Sequence, residues 1–352
     1  MAGKHTPVGR ALSGPVCAML LAWGACVAGL TPGPGPHFAV PQLAVVQLAT
    51  PLLLLDADLR KLLSKSSRLG GAFFVAASAT LLGCLLAFTA LGPFLREACS
   101  ALGSSSDAWK LAAALCAKNI GGGLNYVAVA SATGLSPAAF AGGLIIDNIA
   151  GLVYFPLVAW LGRAERGEAA SADSPPTQRP PSPPVEDVLT ALAASSAIVA
   201  LSLAISPTNT LPLATLLTLI LATAFPAPLS RLAPASEQLG GALLYVFFAT
   251  AGASAGAPSA AGSYLPFFGF VGVLYAVHLT LTLSVCKALR FSRPEALVAS
   301  NAAIGGPATA AALAEGMGWA SLRTPGMLAG NLGNATATFV SLALGQLVLS
   351  RL

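Results

Sequence analysis

Of 352 residues, 55% are hydrophobic and only 9% charged, with a mean hydropathy of +0.77; soluble domains carry about 25% charged residues, so a pair of water-soluble domains is excluded. The formal net charge of +5 is not gathered into a basic patch interleaved with aromatics, which argues against a nucleic-acid partner. Charge-free runs over 69–95, 188–230 and 238–286 match or exceed the about 20 apolar residues of one bilayer crossing, and the last two are long enough for two helices each.

In chain order, apolar runs punctuated by Pro, Gly and charge predict helices over 11–30, 38–57, 69–95, 109–132 and 137–162, then 187–206, 210–229, 238–255, 265–289, 295–317 and 325–350. The first follows Lys4 and Arg10; at about 20 apolar residues it is long for a signal-peptide core and reads as a membrane helix. The expected fold is an all-α membrane protein of about ten or eleven transmembrane helices. It divides into a first repeat over 11–162, a polar Pro-rich linker over 163–187, and a second repeat over 188–350 with an extra connecting helix. Basic residues fall in short connections such as Arg60, Lys61, Lys65 and Arg68, the pattern of cytoplasmic loops. Trp109, Trp160 and Trp319 stand at predicted helix ends, where indoles form interfacial belts. The six cysteines, Cys17, Cys26, Cys84, Cys99, Cys116 and Cys286, are scattered and read as small core residues, neither a metal set nor a disulfide framework. No cofactor is expected.

The halves repeat one another. Ile120-Gly121-Gly122-Gly123 with Ala128, Ala130 and Gly134 matches Ile304-Gly305-Gly306-Pro307 with Ala312, Ala314 and Gly318 at one constant offset. After a four-residue insertion, Pro137, Ala141, Gly142 and Leu144 match Pro325, Ala329, Gly330 and Leu332. Such duplications in transporters commonly relate halves of opposite orientation. Inversion would place Lys287, Arg290 and Arg293 on the same side as the Arg60–Arg68 cluster, whereas eleven full crossings would not, so one segment must be re-entrant, non-spanning or miscounted.

Within each repeat, helix-breaking residues interrupt an apolar segment: Gly121, Gly122 and Gly123 in one, Gly305, Gly306 and Pro307 in the other. Unwound backbone at membrane depth needs protein or water to satisfy it, and the half-helix ends it leaves attract ions. Lys118, Asn119 and Asn125 surround the first break, Asn301 and Thr309 the second, and Asn331 and Asn334 lie on the following helix. Each amide or hydroxyl alone also reads as interhelical glue. Asp147, followed by Asn148, sits midway along 137–162, where a carboxylate costs about 2.5–3.5 kcal/mol on insertion scales. It is a Na⁺ or H⁺ site, the partner of Lys118 in a structural ion pair, or a neutral hydrogen-bonded acid. Glu315 and Asp56 read as interfacial, the latter within reach of Arg60; His278 reads as a packed residue before a proton relay.

Leu52-Leu53-Leu54-Leu55-Asp56-Ala57-Asp58-Leu59-Arg60, Gly121 through Ala130, Asp147-Asn148, and Ile304 through Ala312 resemble the bacterial and plant multi-pass membrane family called domain of unknown function 819. The resemblance runs from about Leu12 to Leu349 and implies a polytopic, transporter-like protein. More distantly the chain is similar to the cation/proton antiporters and bile-acid sodium symporters, whose broken helices cross near the ion site. That likeness maps the antiporter acid pair onto Asp147 and Asn148, in the order acid then amide.

The expected function is therefore secondary transport of a small, anionic solute coupled to Na⁺ or H⁺, with a non-transporting membrane scaffold or receptor as the alternative. The chain lacks His-Glu-x-x-His, Gly-x-Ser-x-Gly and paired catalytic aspartates, so an enzyme is not expected. Expected partners are the bilayer of a plasma or plastid membrane, the coupling ion, the solute, and a second copy in a homo-oligomer.

Overall fold

The computed structural model describes residues 14–32, 36–58, 60, 67–165, 182–254 and 264–352, and among them α-helix dominates and no strand occurs. The helices are α1 (Gly14–Val27), α2 (Pro36–Leu54), α3 (Ser67–Ala101), α4 (Asp107–Gly121), α5 (Gly123–Thr133), α6 (Pro137–Gly162) and α7 (Val185–Ile205). They continue as α8 (Thr210–Ala224), α9 (Pro226–Arg231), α10 (Ala233–Ser254), α11 (Leu265–Ala288), α12 (Arg293–Gly305), α13 (Pro307–Gly316) and α14 (Ala320–Leu347). Lys4, Arg10, Lys61, Lys65 and the linker residues 166–181 lie outside the described residues, as does the side chain of Cys17. Among the described residues α3, α6, α7, α11 and α14 are long and apolar enough to cross a bilayer, and the chain is a multi-pass integral membrane protein.

Local chemistry sets most boundaries. Ser136 caps α6 by accepting from the Ala139 amide at 3.4 Å, with Pro137 in the first turn. Ser292 and Glu295 close a reciprocal box at the start of α12. The run predicted over 210–229 ends early, at Ala224, because Pro226 cannot continue it and opens the short α9 instead. Conversely α3 continues through Pro93 to Ala101, and α14 begins at Ala320, before Pro325.

The two interrupted segments depart most from expectation, because neither crosses. Lys110 at the start of α4 donates to the Gly134 carbonyl at the end of α5 (3.1 Å), and Asp107 accepts from the Ser136 amide (3.3 Å). The α4–α5 pair therefore enters and returns at one end of the molecule. In the second half, Ser292, Pro294 and Glu295 line one cleft with Gly318, Trp319 and Ser321, so α12 and α13 also form a hairpin. The breaks are hairpin tips. Each turns on a single residue with nearly the same backbone: Gly122 at φ 78°, ψ −176° and Gly306 at φ 85°, ψ −170°. Their neighbours stay helical, Gly121 and Gly305 ending one arm and Gly123 and Pro307 opening the next. One residue of positive φ redirects the chain, so a longer unwound stretch is unnecessary.

The hairpins enter from opposite ends. Arg68, at the start of α3, pairs with Glu295 at 2.6 Å and donates to the Arg290 carbonyl at 2.8 Å, so the start of α3, the end of α11 and the mouth of the second hairpin share one end. Trp319 joins them there by donating to the Glu165 carbonyl just beyond α6. At the other end, Arg96, Ser105, Ser106 and Trp109 line a cleft with Leu349 and Ser350, bringing the mouth of the first hairpin beside the end of α14. Helices α3 and α11 thus run antiparallel, with Thr80 beside His278, Gly83 against Leu274 and Gly269 against Leu91.

Trp319 is consequently a buried donor and not a belt residue, whereas Trp160 is 53% exposed, as a lipid-facing indole should be. Arg60 pairs with Asp58 at 3.7 Å. Cys84, Cys99, Cys116 and Cys286 are buried free thiols in the core, and Cys26 is partly exposed.

Candidate functional site

Helix α14 brings the tips together. A Cβ on Gly330 would lie 2.5 Å from the Pro307 nitrogen, and one on Gly333 would strike the Ile120 carbonyl. Backbone therefore packs on backbone at both tips, less than one turn apart along α14. Asn331 and Asn334 flank these contacts, half-buried, and Asn334 Oδ1 lies 3.6 Å from where a Gly122 Cβ would sit. Asn125, just past the first tip, donates to the Gly121 carbonyl at 2.5 Å and accepts from the Thr338 amide and hydroxyl at 3.0 and 2.6 Å. It clamps the tip to α14. Thr309, at the matching position of the second tip, turns inward and bonds the Gly306 and Asn301 carbonyls at 3.0 and 3.3 Å.

Asp147 lies on α6, 1% exposed, beside the inner end of α4. Its Oδ2 forms an ion pair with Lys118. Its Oδ1 accepts from Asn119 Nδ2 at 2.8 Å and from the Tyr275 hydroxyl at 3.1 Å. The carboxylate is thus held by one full charge and two hydrogen bonds, the conditions under which a buried charge is tolerable. Of the three sequence readings this geometry realises the pairing with Lys118. Lys118 also stands in the last turn of α4, where a cation complements the half-helix dipole. Asn148 does not join them; it bonds the Leu144 carbonyl of its own helix at 2.7 Å.

A buried polar chain missed by sequence reasoning links the halves. Thr80 on α3 lies 2.8 Å from His278 Nδ1, and His278 Nε2 lies 2.9 Å from the Ser300 hydroxyl on α12, which in turn bonds Tyr154 of α6. Thr80 Oγ1 also reaches the Ala76 and Asn119 carbonyls at 3.1 and 3.2 Å. Those carbonyls only accept, so Thr80 spends its single proton on one of them and accepts from His278 Nδ1–H. Ser300 then joins Nε2 to the Tyr154 hydroxyl. His278 is buried and bonded through both ring nitrogens, linking a residue of each repeat. The Tyr154 and Tyr275 rings pack tilted at 58°, 4.9 Å between centroids, which ties this chain to the Asp147 cluster. The only advance signal was compositional: Tyr154, Tyr275 and Ser300 are polar groups deep within apolar runs.

Two amide oxygens beside the tips, Asn119 Oδ1 and Asn301 Oδ1, are buried without any partner. The structure brings Lys118, Asn119 and Asp147 into direct contact, and places Asn125, Thr309, Asn331, Asn334 and the tip glycines around α14. Among the described residues no group of three or more His, Cys, Asp or Glu is arranged to hold a metal ion.

Comparison with known proteins agrees that the chain is a membrane protein. The uncharacterized membrane protein YjcL of Bacillus subtilis (strain 168) is 29% identical over a 371-residue alignment covering 96% of this chain and 90% of that protein. The family model described as protein of unknown function (DUF819) matches residues 2–351, and the chain belongs to that family.

Proposed function

We propose that the protein is a secondary transporter of a small anionic solute, coupled to Na⁺ or H⁺, and not an enzyme. The observation that carries the reading is the meeting of two like-shaped hairpin tips, entering from opposite ends, against one helix beside a buried ion pair. The antiparallel α3 and α11, which precede the first and second hairpins, support an inverted relation of the halves, the arrangement that gives a carrier two equivalent states.

Lys118 is the group for the solute. An incoming carboxylate competes with Asp147 for its ammonium, while Asn334 and the α5 amino end stand beside the same tip. Asp147, released, must be neutralised by a proton or a metal cation, because a free carboxylate is costly at that depth. Solute and coupling ion therefore load together. Rocking of α14 with the tips would move the site between the two ends.

The test is uptake by the reconstituted full chain across a panel of small organic anions, under an imposed Na⁺ or proton gradient. Gradient-driven uptake of at least one anion is expected, falling about tenfold or more, equal to about 1.4 kcal/mol or more, in Lys118→Gln and Asp147→Asn. Unchanged coupled uptake in both variants would remove the ion pair from the mechanism. Binding without uptake would favour the receptor reading.

A further inference from the structure

The end of α3 carries a cation whose position the transport site does not explain. An arginine near the end of a membrane helix normally extends its head outward into water. Arg96 does the reverse. Its Cζ stands 5.4 Å from the centroid of the Phe88 ring, eight residues earlier, and its Nη1 lies 3.7 Å from where a Cβ on Gly92 would sit. The side chain therefore runs back along α3 toward the apolar interior. It is half-buried there, and among the described residues it makes no ion pair and no hydrogen bond. The ring face offsets only part of the cost of a charge so placed, and all five N–H donors stay unspent. Neither nearby acid serves it: Asp107 holds Lys110 and the Ser136 amide, and Glu97 is exposed.

Arg96 lines a cleft of about 260 Å³ together with Ser105, Ser106, Trp109, Leu349 and Ser350. The Ser105 hydroxyl and the Trp109 indole are likewise without a hydrogen-bond partner among the described residues. A cation and two unspent donors thus border one space that supplies no anion. We propose that this cleft binds the phosphate of an anionic phospholipid headgroup, with Arg96 as its counter-charge and Ser105 and Trp109 as further donors. A guanidinium takes phosphate through two parallel hydrogen bonds, and basic pockets between membrane helices suit such headgroups. A lipid fits better than free phosphate because the guanidinium is drawn inward and because Phe94, Leu347 and Val348, close by in the chain, are exposed apolar side chains against which acyl chains can lie. The headgroup joins the end of α3, the mouth of the first hairpin and the end of α14. Any effect of the lipid on transport rests on the reading above; its binding does not.

Binding is measured on the purified, delipidated full chain in detergent, by thermal unfolding against dioctanoyl phosphatidylglycerol, dioctanoyl phosphatidylcholine and inorganic phosphate, since a ligand of the folded state raises its stability with concentration. The wild type is expected to show a saturable rise in Tm with phosphatidylglycerol, at about tenfold lower concentration than with phosphatidylcholine, and none with inorganic phosphate. Arg96→Gln is expected to erase the preference between the two lipids, and Arg163→Gln, an arginine over Trp160 at the opposite end, to keep it. Should Arg96→Gln fail to fold, Ser105→Asp, an exposed position, places a competing carboxylate in the cleft and is expected to erase the preference too. An equal response of the wild type to both lipids, a preference kept in Arg96→Gln or Ser105→Asp, or one lost equally in Arg163→Gln would overturn the proposal. So would a rise with inorganic phosphate matching that with phosphatidylglycerol, which would make the cleft a site for a free anion. No solute or gradient is used, so failure here leaves the uptake experiment to decide transport on its own.

Discussion

Removing either partner of the Lys118–Asp147 pair strands the other charge among buried groups. Breaking a buried pair from one side costs about 3–5 kcal/mol, whereas replacing both partners with apolar side chains of similar size is often neutral. Lys118→Met alone is therefore expected to lower the thermal unfolding midpoint strongly, and Lys118→Met with Asp147→Leu to recover most of the loss. Additive losses in the double variant would show that the two side chains do not interact as placed. Stability and transport should then part company: the double variant folds but leaves no charge with which to bind an anion. At this scale the sequence was partly legible. Asp147 stood out because a carboxylate midway along an apolar helix has few explanations, and Lys118 was the nearest cation in a comparable position. Thr80, Tyr154, Tyr275 and Ser300 did not stand out. Hydroxyls in membrane helices mostly bond their own backbone, as Thr215 and Thr218 do here, and nothing local distinguishes those that reach across.

The hairpins depend on glycine in two different ways, and substitutions should separate them. Gly122 and Gly306 supply positive φ with extended ψ, where a side chain is strained by about 1–3 kcal/mol. Gly330 supplies space, since a methyl there would lie 2.5 Å from the Pro307 nitrogen, an unyielding backbone atom. Gly330→Ala is accordingly expected to destabilise the fold by about 1–3 kcal/mol through overpacking. Gly272→Ala, on the exposed side of α11 with nothing within 4 Å of the new methyl, is expected to stabilise slightly, since alanine is favoured over glycine in a helix by about 1 kcal/mol. Equal unfolding midpoints for the two variants would contradict the close approach of α14 to the second tip. The breaks themselves were readable as runs of glycine and proline at matching places in the two halves. That the chain turns back at them was not. A run of about 20 apolar residues is long enough either to cross or to enter and return, and the deciding contacts, Lys110 to Gly134 and Asp107 to Ser136, join residues whose proximity only the fold creates.

Turning both interrupted segments into hairpins resolves the parity problem posed by the basic residues. With those two segments not crossing, Arg68, Arg290 and Arg293 lie at one end of the molecule, as the Arg68 bond to the Arg290 carbonyl shows, and Arg163 and Arg323 gather there through Glu165 and Trp319. The opposite end, at the first hairpin, has Arg96, Lys110 and Arg351. By the positive-inside rule, this excess of Lys and Arg predicts that the mouth of the second hairpin faces the cytoplasm. This can be read directly by introducing single cysteines at Ser105 and Ser321, both exposed at the two mouths, in a background from which the native thiols have been removed. In sealed right-side-out vesicles, a membrane-impermeant maleimide added outside is expected to label Ser105→Cys at once and Ser321→Cys only after permeabilisation. Labelling of both from one side would mean that the hairpins enter together, and two tips approached from the same side could not alternate the access of a site held between them.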